Sequence, residues 1–174
     1  DETYPGFVLQ ERVQDHPELH GVSDAAGLQT MRIITLVSRA GEFQILHAAV
    51  KFIVGGNLSD NFAKGQTGNI MVRLDARRGV TTEALAGVKG RPGVAPVAEH
   101  PQTHRQLIGI PIPFWEDVCA LVRDAAYRFL PIRAIGWDVA VTESGPLVIE
   151  ANMRFDPPNQ FRNLDILRQA ITSA

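Results

Sequence analysis

The sequence holds a single cysteine, Cys119, so no disulfide can form within the chain. No apolar run reaches the roughly 18 residues that a bilayer span requires, and the acidic start Asp1-Glu2 lacks the basic-then-apolar pattern of a secretory signal. A cytoplasmic location is the default expectation. Positive charge is not in excess either: 17 basic and 19 acidic residues give a formal net charge of −2. They are mixed along the chain, so no broad basic field draws in nucleic acid or an anionic membrane. An initiator methionine is also missing, although residues 7–13 already read as a strand, so the chain reads as part of something longer.

What is present describes one globular domain over residues 1–174. A hydrophobic content of 45% against 21% charged residues is enough for a sizeable core. Strand-forming runs occupy residues 7–13, 31–37 and 43–54, the last two joined by a tight turn at Gly41-Glu42 and read as antiparallel. Residues 15–24 are polar and turn-forming, which predicts a surface loop. Residues 55–69 hold four glycines and no apolar periodicity, which predicts a loop of unusual backbone angles, before a strand at 70–74. Five of the eleven prolines fall in 87–113, read as a long surface excursion. Apolar residues at Phe114, Val118, Leu121, Val122, Ala125, Ala126 and Phe129 form one helical face, closed by Pro131. Cys119 lies in that stretch and reads as a small buried side chain. Strands at 134–141 and 147–151 flank a turn at Glu143-Ser144-Gly145-Pro146, and a last helix covers about 163–171. The order predicts an α+β fold, a mostly antiparallel sheet with helices packed on one side.

The closing hairpin carries the sharpest chemistry. Asp138 lies on its first strand, and Glu150 and Asn152 share a face of its second because side chains alternate. A turn near Gly145 pairs Asp138 close to Asn152, gathering three oxygen-bearing side chains, a donor set suited to magnesium, which takes one or two carboxylates plus phosphate oxygens. The competing reading makes them solvated polar positions on an ordinary half-exposed hairpin. Against it, the neighbours Ile135, Trp137, Val139, Val141, Val148 and Ile149 are apolar on both faces, where an unpartnered polar group is costly. From side-chain chemistry alone both readings stand.

The run Gly136-Trp137-Asp138-Val139-Ala140 followed by Gly145-Pro146-Leu147-Val148-Ile149-Glu150-Ala151-Asn152 resembles the metal-binding end of the ATP-grasp fold. There an acidic residue and a Glu-x-Asn pair hold two magnesium ions on the ATP phosphates, which implies Asp138, Glu150 and Asn152 as the metal ligands. Leu9-Gln10-Glu11-Arg12-Val13 resembles the hinge strand that meets the adenine, implying nucleotide contacts from Gln10, Glu11 and Val13. Gln29 to Thr35 resembles the strand whose arginine, here Arg32, faces the transferred phosphate. Lys51-Phe52, Asp60-Asn61-Phe62, Gly65 and Gly68 resemble a loop of the sugar-transfer-associated and alpha-L-glutamate-ligase-like branches, adding Lys51 and Asn61 to the cofactor contacts. The resemblance runs from residue 7 to about 170. Taken singly, Glu11 reads as an edge-strand surface residue, Asn61 as a turn cap, and Arg32 as the partner of an acidic neighbour. The five histidines show no metal-ligand spacing. Two departures bear on the acceptor substrate: Gly65-Gln66 replaces the family's Gly-Gly, and Phe155-Asp156-Pro157-Pro158 replaces its Pro-Gly.

The resemblance implies an ATP- and magnesium-dependent carboxylate ligase of the carboxylate–amine type working through an acyl phosphate, with cell-surface polysaccharide synthesis as the process it would serve. The family's other lobe, with its glycine-rich phosphate loop, has no counterpart here, and Lys51, Lys64 and Lys89 are the only lysines. The expectation is a C-terminal lobe that pairs with an N-terminal lobe of the same protein and is inactive alone. Two rivals are a non-catalytic nucleotide- or sugar-binding module and a phosphotransferase that stops at the phosphorylated product.

Overall fold

The computed structural model describes residues 9–155, 161 and 164–173. The chain runs α1 (Pro17–Ser23), β1 (Met31–Val37), β2 (Phe43–Phe52), a 3-10 turn (Ala63–Gly65), β3 (Ile70–Asp75), β4 (Val80–Gly87), β5 (Val94–Pro96), α2 (Trp115–Arg128), β6 (Ala134–Thr142), β7 (Gly145–Asn152) and α3 (Leu164–Ser173). The strands form one seven-stranded sheet in the order β5-β4-β3-β2-β1-β6-β7, antiparallel at every pairing. This is the α+β architecture expected.

Alternation sorts the strands into two faces. On the back, Met31, Ile33, Ala48, Val50, Ile70, Val72, Trp137 and Val139 join one hydrophobic core with Leu19 and Val22 of α1 and Trp115, Val118, Val122 and Ala126 of α2. The α2 contribution is a stripe at three- and four-residue spacing, the pattern by which a helix covers a sheet. Trp137 is fully buried, and its indole Nε1 donates to Thr35 Oγ1 at 2.8 Å, so its one polar atom is satisfied. Among the described residues the front face carries a small apolar cluster, Ala49, Leu85 and Phe161 with Met71 and Val94 against it.

Several expectations need correction. Residues 9–13 form no strand, and Leu9 is 99% exposed; residues 7 and 8 lie outside the described residues. An extended segment becomes a strand only where a neighbour takes its backbone hydrogen bonds, and the described sheet ends at β7. Residues 17–23 form α1 instead of a loop. Pro17 sets the first helical φ, His16 Nδ1 accepts from the Glu18 N–H at 3.3 Å, and Leu19 and Val22 turn one face inward. Strands β4 and β5 were not anticipated, because Thr82 and Glu83 are exposed and the apolar alternation is weak. The 87–113 excursion is not wholly superficial either: His100, Leu107 and Ile112 are buried.

Candidate functional site

The front face of β1, β2, β6 and β7 carries the polar side chains, placed there by register. Arg32 on β1 stands opposite Asp138 on β6, and Asp138 stands opposite Glu150 on β7. Opposed residues of an antiparallel pair project to the same face, so Arg32, Asp138 and Glu150 form a row across three strands. The hairpin register differs from the one expected: Asn152 faces Gly136, not Asp138. The two-residue turn at Glu143-Ser144 closes the hairpin at Thr142 and Gly145, which sets that offset, and a bulge follows farther along the strands. Val139 pairs with Val148 and Asp138 with Glu150, leaving Ile149 as the extra residue. In an unbulged hairpin Glu150 would oppose Trp137 and turn toward the core; a one-residue slip exchanges the faces of a strand. The bulge is therefore what brings Glu150 and Asn152 to the face of Asp138.

Arg32 grips Asp138 with two hydrogen bonds, Nε to Oδ1 at 2.8 Å and Nη2 to Oδ2 at 3.1 Å. Lys51, buried on β2, lies with Nζ 3.2 Å from Asp60 and 3.5 Å from Asp138. Asp60 accepts from the Thr30 backbone N–H at 2.7 Å and from Thr30 Oγ1 at 2.6 Å. Two cations and two carboxylates thus cancel in a mostly buried quartet, and pairing is what makes burial of those charges tolerable. Asp60 and Thr30 were not among the site candidates, although Asp60 stands in the Asp-Asn-Phe run that suggested Asn61. Glu150 is exposed at the rim, outside the quartet.

Asn152 is half-buried, and its Nδ2 is a buried atom without a hydrogen-bond partner among the described residues. Asn61 lies on an exposed loop, its Oδ1 accepting from the Ala63 N–H at 3.3 Å. Arg32, Asn61 and Asn152 all border a groove of about 1190 Å³ on the front face. Gln10, Glu11 and Val13 border a separate cleft of about 580 Å³, whose other wall includes Leu147, Val148 and Ile149 of β7. The candidates therefore fall in two regions, joined along β7.

Two titratable groups bear on the chemistry. His47 on β2 is buried in the wall of the large groove. Burial foremost, then Arg73 and Arg32, lowers its pKa to about 4, so it is neutral at pH 7. Cys119, packed on the core from α2, has its thiol pushed up mainly by burial, which favours the protonated form.

The donor set fits magnesium in part. Among the described residues no group of three or more His, Cys, Asp and Glu is placed to hold a metal. Two carboxylates and an amide on one face nevertheless match an ion that takes its remaining oxygens from phosphates and water. The exposed carboxylate of Glu150 fits that use, and Asn152 would offer its Oδ1; the unpartnered Nδ2 is a donor and adds nothing toward a cation. Asp138 fits it only in competition with Arg32 and Lys51, which already hold its oxygens.

Among the described residues no helix is long and apolar enough to cross a membrane. Neither the curated proteins nor the solved structures compared with the chain contain a match. A protein-family model does match, over residues 2–171, nearly the whole chain. Its description, sugar-transfer associated ATP-grasp, agrees with the antiparallel sheet and its hairpin, and the chain belongs to that family.

Proposed function

We propose that this chain is the C-terminal lobe of an ATP- and magnesium-dependent carboxylate ligase of the carboxylate–amine type, serving cell-surface polysaccharide synthesis. The observation that carries the reading is the row Arg32, Asp138, Glu150, set in register across three strands on the polar face. In such a reaction a carboxylate oxygen attacks the γ-phosphorus, the bond to ADP breaks and an acyl phosphate forms. An amine then attacks the acyl carbon, phosphate leaves, and the amine proton is lost. Phosphoryl transfer asks mostly for positioning and charge neutralisation.

Asp138, Glu150 and Asn152 would hold the magnesium, which supplies Lewis-acid neutralisation of the phosphate oxygens. The planar guanidinium of Arg32 suits a planar oxyanion. It is paired with Asp138, and release from that carboxylate would free its fork for the transferred phosphate. Lys51 keeps Asp138 in place through that exchange, anchored from behind by Asp60 and Thr30. Gln10, Glu11 and Val13 would meet the adenine in the cleft against β7. A glycine-rich lobe outside these residues would close over the phosphates.

The second reading, a non-catalytic nucleotide- or sugar-binding module, draws on the same quartet, since its charges already balance without a ligand. Incubating the complete protein with MgATP, a panel of carboxylic acids and hydroxylamine separates the readings. A ligase yields ADP and hydroxamate in equal amounts. ADP with a stable phosphorylated product identifies a phosphotransferase, and nucleotide binding without ADP leaves the binding module.

A further inference from the structure

The large front-face groove extends well beyond the residues assigned to the nucleotide. One wall is the loop at 63–68 and the other the turn at 87–94 between β4 and β5, with Arg154 and Phe155 following β7 at one end. Lys64, Lys89, Arg91 and Arg154 all border it, and no Asp or Glu does so among the described residues. The ion pairs of Arg32 and Lys51 with Asp60 and Asp138 leave these four cations out, and none of the four is in an ion pair among the described residues. In a chain of formal charge −2, four uncompensated cations around one concavity make a local positive field. The four come from three segments far apart in sequence, so no basic run announces them.

A loose surface patch would leave the carriers of these charges free to spread apart. The two walls are instead locked together glycine against glycine. A Cβ on Gly87 would stand 1.9 Å from the Gly65 carbonyl oxygen, and one on Gly65 2.6 Å from Gly87 Cα, so neither position accepts a side chain. Next to that contact, Ala63 and Lys64 hold φ of 43° and 56°, a left-handed conformation uncommon for residues with a Cβ. Such strain concentrates at ligand clamps. The opposite turn is tied by Val88 N–H to Gly93 O at 3.0 Å.

We propose that this groove binds the second substrate of the ligase through a multiply charged oxyanion, a diphosphate or a polycarboxylate. The anion lies among Lys64, Lys89, Arg91 and Arg154, and the reacting end extends toward Arg32. The assignment of a second substrate rests on the ligase reading; the anion site itself does not. About 1190 Å³ accommodates more than an isolated phosphate, and Met71, Val94 and Phe155 give the rest of the molecule apolar contacts.

Titration calorimetry of the 174-residue chain with pyrophosphate and, separately, with citrate tests the site without requiring turnover. Binding of either is expected, weakening as salt is raised. The double variant Lys89→Gln/Arg91→Gln should weaken it at least tenfold. Arg77→Gln/Arg78→Gln makes the same change in net charge on exposed residues of the β3–β4 turn and should leave it within twofold. Loss of binding in both double variants alike, or no binding of either anion, would overturn the site. A third arm uses MgATP with the complete protein: unchanged affinity in Lys89→Gln/Arg91→Gln is expected. An equal loss there would give the groove to the nucleotide's own phosphates and defeat the second-substrate assignment while leaving the ligase reading standing.

Discussion

The two faces of the sheet are made from the same strands yet obey different rules. On the back, Ile33, Val50, Val72, Trp137 and Val139 meet α1 and α2 with no charge among them. On the front, one residue away along each strand, stand Arg32, Lys51, Asp138 and Glu150. A side chain on the back has one task, exclusion of water. Those on the front are paired across strands, so each depends on its neighbour's identity as well as its own place. The comparison divides the front again: the quartet is buried and self-compensated, whereas Glu150 and the groove cations face solvent.

Substitutions should separate these regions by the size and kind of their effect. Trp137→Ala empties the centre of the back core and strands the Thr35 hydroxyl, so a loss of about 3–5 kcal/mol is expected in urea denaturation. A loss below about 1 kcal/mol would mean that the back face is not the main source of stability. Asp60→Ala leaves Lys51 leaning on Asp138 alone and removes the acceptor of the Thr30 N–H; about 3 kcal/mol is expected. If that variant matched the wild type in stability, the quartet would be a surface ornament and the division of the front face would fail.

Acid provides a third test. His47 has its folded pKa lowered from 6.5 to about 4. The unfolded chain therefore binds its proton first, and the stabilising contribution is complete above pH 6.5 and lost as pH falls toward 4. Stability should drop by roughly 2–3 kcal/mol across that window, and His47→Phe should flatten that part of the profile. A profile identical in the variant would contradict a buried, neutral His47. The smallest structural effect belongs to the rim: Glu150→Gln should change stability by less than about 0.5 kcal/mol.

How much of this was legible in the sequence follows from where each contact comes from. The middle of the α2 stripe and the hairpin around Gly145 were readable, because periodicity and turn chemistry are local; its ends were not, since Phe114 and Phe129 are exposed and Trp115 is buried instead. The α+β class followed from the order of the elements, whereas the grouping of Arg32 with Asp138 and Glu150 followed from the family resemblance. The register was not readable: a single bulged residue, Ile149, decides which face Glu150 takes, and nothing in an apolar run announces a bulge. Helix α1 was hidden because its seven residues owe their conformation to a histidine cap and Pro17. The quartet joins Arg32, Lys51, Asp60 and Asp138 through tertiary contact, and the groove cations meet only when the 63–68 and 87–94 segments lock at Gly65 and Gly87. A balanced charge count concealed that local field.

The central claim is that Glu150, at the exposed end of the polar row, serves phosphoryl transfer and not stability. It is tested most directly by turnover of the complete protein carrying Glu150→Gln, assayed at limiting magnesium beside its melting temperature. The account predicts turnover reduced by about a hundredfold or more, equivalent to roughly 2.7 kcal/mol in the barrier, with the melting temperature essentially unchanged. Wild-type turnover at limiting magnesium would contradict it and return Glu150 to an ordinary exposed position on an edge strand.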